Sequence, residues 1–60
     1  MELNEAYSLH QIIANGMTEK EVKDVEARIF TKDNKVYFFE NLNNRYLRLY
    51  TVINKRSFFL

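Results

Sequence analysis

Sixty residues with no cysteine, one histidine and one glycine set narrow bounds. A chain this short buries only about 60% of its unfolded surface, so it normally leans on disulfides, a metal or self-association. Without cysteine, disulfides and thiolate zinc sites are excluded, and a lone His10 excludes a histidine-rich metal site. The net charge of +1 hides an asymmetry, because residues 1–26 carry six acids against two lysines (−4) and residues 27–60 seven bases against two acids (+5). Such a split marks either an interaction surface or two halves that attract each other, within one chain or between chains.

The chain reads as a single domain, 1–60, with no linker, repeat or low-complexity stretch. Its opening, MELNEAY, lacks the basic start and apolar run of a secretory signal. No apolar run approaches the roughly 18 residues of a membrane span. The expectation is a soluble cytoplasmic protein, either monomeric or a homodimer or higher oligomer.

In chain order, Leu3, Ala6, Tyr7, Leu9, Ile12 and Ile13 support a helix over 2–15, and Gly16 after Asn15 suits a left-handed helix stop. Ser8 and Gln11 form a capping-box pair that would shorten this helix to 9–15. The stretch MTEKEV, residues 17–22, carries a stronger start signal. Thr18 and Glu21 form a capping box, and Met17 and Val22 are spaced for a hydrophobic staple. Val22, Val25 and Ile29 then make an apolar stripe, with Glu19–Lys23 and Asp24–Arg28 as acid-first i,i+4 pairs, so the pattern predicts a helix over 18–29.

Beyond residue 30 the signals change. Lys32-Asp33-Asn34 reads as a turn, and strand formers follow in 35–41 and 45–53, with a short last strand over 57–60. The expected fold class is α+β, two N-terminal helices (2–15 and 18–29) packed on a C-terminal three-stranded antiparallel meander. Leu42, Tyr46, Leu49, Tyr50 and Ile53 also fit a helical stripe, which makes a third helix over 41–53 the rival reading.

A two- or four-residue loop between the first two meander strands pairs Tyr46 with Asn41, Arg48 with Phe39 and Tyr50 with Tyr37. Strand side chains alternate, so one face then holds Tyr37, Phe39, Tyr46, Arg48 and Tyr50. The other holds Val36, Phe38, Leu47, Leu49 and Thr51 and suits the helical stripe. A three- or five-residue loop would move the pairing by one. The aromatic–arginine face matches the residue types of protein-interface hot spots, and equally those of single-stranded nucleic-acid binders. The plainer alternative is that the first helix covers it.

Little in the chain carries chemistry. His10 has no partner of catalytic type, there is no glycine-rich phosphate loop, and the acids of 19–26 suit a solvated helix face. The expectation is a non-enzyme without cofactor or small-molecule substrate. One further pattern stands out. SLHQIIANGMTEKEVKDVEARIF reads as helix, glycine turn and helix, and RIFTKDNKVYFF as a hairpin turning at Asp33-Asn34. Over residues 7–40 this resembles excisionase-like winged-helix proteins, which implies DNA binding. The would-be recognition helix is net acidic, however, which opposes approach to phosphates. Such binding would rest on Lys32, Lys35, Arg45, Lys55 and Arg56. Against that alternative, the composition also resembles small accessory proteins of phages and mobile elements. The leading expectation is a small regulator or inhibitor that binds another protein through Tyr37, Phe39, Tyr46, Arg48 and Tyr50.

Overall fold

A computed structural model describes residues 1–58. It is an antiparallel five-stranded sheet carrying two short helices. In chain order these are β1 (Ala6–Ser8), α1 (Leu9–Ala14), β2 (Thr18–Lys20), β3 (Arg28–Lys32), β4 (Lys35–Asn41), β5 (Tyr46–Asn54) and α2 (Lys55–Phe58). The strand order is β1-β5-β4-β3-β2, so the N-terminal strand lies beside the last one. Both edges are three-residue strands, short enough to limit edge-to-edge association.

Local chemistry accounts for α1. The Ser8 hydroxyl accepts the Gln11 amide hydrogen at 3.1 Å, and the Gln11 side chain accepts the Ser8 amide hydrogen at 2.8 Å, completing the capping box. At the other end Gly16 takes φ 84°. Its amide donates to the Ile13 carbonyl, and the Met17 amide donates to the Ile12 carbonyl. These two bonds are the Schellman pattern, and the apolar contact that usually accompanies it is present, since Ile12 and Met17 are buried in one cluster.

The expected two-helix, three-strand architecture is overturned. Residues 2–8 are not helical, because residues 4–8 pair with β5: the Asn4 amide donates to the Leu49 carbonyl, and Ala6 lies opposite Arg48. Only the shorter, Ser8-capped helix forms. Residues 18–29 are not a helix either. Thr18–Lys20 pairs with Ile29–Thr31, and Asp24, at φ 65°, helps turn the chain between them. A helix there would have gathered only Val22, Val25 and Ile29 on one side. As β3, the consecutive residues Ile29, Phe30 and Thr31 are all buried, on both faces of the sheet. Isolated helices of about a dozen residues are marginal in water, so tertiary burial outweighs the caps. Neither i,i+4 ion pair forms. Arg28 instead donates two bonds to Glu19 across the β2–β3 pair, at 2.7 and 2.8 Å, with its guanidinium 5.7 Å from the centre of the Phe30 ring.

The winged-helix resemblance falls with that second helix, although a hairpin does turn at Asp33-Asn34, where Asp33 takes φ 54°. Residues 46–54 are strand, which removes the rival third helix. Of the expected last strand over 57–60, Ser57 and Phe58 belong to α2, and the rest lies outside the described residues.

Register then assigns the faces. Phe30, Tyr37 and Val52 are cross-strand neighbours, as are Phe39 and Leu49. These residues, with Leu47 and Tyr7, pack with Ile12 and Met17 on the α1 side. The Phe30 and Phe39 rings meet edge to face at 5.3 Å. On the opposite side, α2 packs on β4 and β5, and Phe58 meets Phe38 edge to face at 5.4 Å.

Candidate functional site

The β4–β5 connection decides which side chains share a face. The Leu42 amide donates to the Tyr46 carbonyl at 3.0 Å. The Asn43 side-chain oxygen accepts from the Arg45 and Tyr46 amides at 2.8 and 3.0 Å, an Asx-type turn. Three residues therefore turn the hairpin, and the pairing moves one place from that of an even loop. Leu47 lies opposite Asn41, Arg48 opposite Glu40 and Leu49 opposite Phe39. A second irregularity follows. Thr51 lies opposite Phe38, which leaves Tyr50 as the extra residue of a β-bulge. The bulge turns Val52 onto the same face as Leu49, three positions earlier.

The five residues expected to form one aromatic–arginine face are divided as a result. Phe39 is fully buried and Tyr37 half-buried, both on the α1 side. Arg48 and Tyr46 share the opposite face with Glu40 and Phe38, and the bulged Tyr50 ring lies 6.4 Å from that of Phe38. Tyr46 (44% exposed) and Tyr50 (39%) are open to solvent. Three of the five residues thus come together, and Phe38, expected beside the leucines, joins them.

Arg48 is held in place. Its Nε donates to Glu40 Oε1 at 2.9 Å and its Nη1 to Asn4 Oδ1 at 2.7 Å, tying β4, β5 and the N-terminal segment together. The Arg48 hydrogen bond lowers the Glu40 pKa below its ordinary value, against a smaller opposing effect of burial, and Arg48 itself is raised by the same bond. Beside Tyr50 lies a groove of about 290 Å³ lined by Glu26, Ala27, Glu40, Asn41 and Tyr50. Glu40 is paired with Arg48, so Glu26 is the carboxylate that makes the groove acidic.

The five expected nucleic-acid contacts also divide. Lys32 lies directly opposite Lys35, Lys35 lies opposite Asn54, and Lys55 and Arg56 follow at once in α2. The Lys55 amide donates to the Asn34 carbonyl at 2.8 Å, which ties α2 to the β3–β4 turn. Four of the five thus collect at one end of the sheet, while Arg45 sits in the β4–β5 turn at the other end.

His10 lies exposed on α1. Among the described residues no three His, Asp or Glu side chains are grouped to hold a metal ion. No helix there is long and apolar enough to cross a membrane. Sequence reasoning missed Glu40 and Asn4 as the partners of Arg48, and Phe58 as an aromatic neighbour of Phe38. The signal for the first was Asn43, whose turn chemistry selects the odd loop. The bulge at Tyr50 has no comparable signal. Compared with known proteins, the chain matches no family model, and no curated protein and no solved structure matches it.

Proposed function

We propose that this is a small non-enzymatic regulator that works by docking another protein on the sheet face opposite α1, through Tyr46, Tyr50, Phe38 and the positioned Arg48. The observation that carries this reading is the pairing of two exposed tyrosines with an arginine already fixed by Glu40 and Asn4 on one face. Tyrosine and arginine anchors dominate protein-interface energetics, and an ordered side chain loses little freedom on binding. Because Glu40 neutralises Arg48 and Glu26 adds a second carboxylate beside Tyr50, phosphate is a poor fit to this face. Its chemistry suits an apolar partner surface that presents a basic side chain to the groove.

The test is affinity purification of the tagged protein from its source cell under nuclease treatment, followed by mass spectrometry. The expected result is a retained protein that Tyr46→Ala/Tyr50→Ala loses while the variant still melts as the parent does. Equal retention by parent and variant would remove the reading. Light scattering covers the case in which the partner is a second copy, since the parent would then be a dimer and the variant a monomer.

A further inference from the structure

The basic end of the sheet differs in chemistry from the face just described, although α2, which carries Lys55 and Arg56, packs on that face through Phe58 and Phe38. Lys32 and Lys35 are directly opposed across the β3–β4 turn, a like-charge placement that costs stability. The Lys32 side chain reaches back over Gly16, and Lys35 Nζ donates, among the described residues, to the Asn54 side-chain oxygen at 3.3 Å. Lys55 and Arg56 add two more positive charges at the same end. Among the described residues, the ion pairs join Arg28 to Glu19 and Arg48 to Glu40, so none of these four cations is paired with a described acid. Asp33 is the acid of the turn itself, and it pairs with none of them.

Between the turn and α2 lies a cleft of about 410 Å³ lined by Asn34, Asn54, Lys55, Arg56 and Ser57. Every lining side chain is polar. Amides, a hydroxyl, an ammonium and a guanidinium are the groups that contact phosphate and sugar oxygens in nucleic-acid complexes.

We infer that Lys32, Lys35, Lys55 and Arg56 form a binding site for the phosphodiester backbone of a nucleic acid, read without regard to base sequence. The site contains neither Tyr46 nor Tyr50, so each reading can be tested with the other's side chains intact.

The experiment is fluorescence anisotropy with a short labelled single-stranded oligonucleotide, repeated across a salt series. Four cations predict a log–log salt slope of about −3 for a single strand. Lys55→Gln/Arg56→Gln should bring the slope down to about half of that, while Tyr46→Ala/Tyr50→Ala should leave it unchanged. A matched circular dichroism melt establishes that each variant is folded. Absence of binding at low salt overturns the inference, as does an unchanged slope in the folded Lys55→Gln/Arg56→Gln variant. Equal competition by poly-glutamate also overturns it, because the end would then be a general acidic-surface site.

Discussion

The two faces of the sheet are built from the same two strands, β4 and β5, and from Phe39 to Tyr50 their environments differ, whereas Val36 is buried on the face away from α1 as well. On the α1 side Phe39, Leu47 and Leu49 are at most 3% exposed, while on the other side Tyr46 and Tyr50 stand well open. Adjacent residues thus differ completely in environment, and one residue of register decides which is which. The largest test of this contrast is a pair of truncations. Phe39→Ala removes a fully buried ring that packs on Phe30, at a cost of about 3–5 kcal/mol. A chain of this size has roughly 3–9 kcal/mol in total, so the variant should be largely unfolded at room temperature by circular dichroism. Tyr46→Ala, seven positions on, should change the denaturation midpoint by no more than about 0.5 kcal/mol equivalent. Similar losses for both would mean that the faces are assigned wrongly.

That contrast also shows what was legible in the sequence and what was not. Short-range chemistry was readable: the Ser8–Gln11 box, the left-handed Gly16, the Asp33-Asn34 turn, and strands at 35–41 and near 45–53 all appear in the structure. What failed was any inference that local signals had to make against tertiary burial. Thr18 and Glu21 look like a helix start, but Ile29, Phe30 and Thr31 bury more as a strand, and Thr18–Lys20 follows them into the sheet. At the candidate site the residue types were readable and their grouping was not. The grouping depended on Asn43 choosing an odd loop and on a bulge at Tyr50, and an alternating pattern carries no mark of either.

Two smaller changes sharpen the comparison by touching how each face is held. On the core side, Gly16→Ala keeps ordinary space around the new Cβ, with Lys32 Cε at 3.7 Å, but forces an L side chain into φ 84°. The expected cost is about 1–2 kcal/mol, read as a lower urea midpoint with unchanged slope. A neutral result would show that the chain after α1 relaxes and that the Met17–Ile12 contact does not depend on this cap. On the open side, Arg48→Ala removes bonds to Glu40 and Asn4, yet surface pairs of this kind contribute little to stability. Its larger expected consequence is for the protein partner, whose retention should fall even though the fold survives. A folded Arg48→Ala variant that keeps the partner fully would confine the arginine to a structural role.

The smallest effect is on acid stability, and it separates the faces by charge. Glu40 and Glu19 both have pKa values lowered in the folded chain, in each case first by the hydrogen bond from an arginine, Arg48 or Arg28, with burial opposing it. A carboxylate with a depressed folded-state value contributes stability that is complete above its unfolded value, about 4.3 for glutamate. That contribution fades as pH falls through the lowered folded-state value. Thermal midpoints should therefore be flat near neutrality and decline only on the acid side of the ordinary carboxylate range. The Glu40→Gln variant should lose part of that decline and Glu19→Gln another part, each only slightly because both pairs are solvent-accessible and screened. If instead the midpoint fell mainly between pH 5 and 7, the titrating group would be neither glutamate. The pairing of Arg48 with Glu40 would then not explain the pH response.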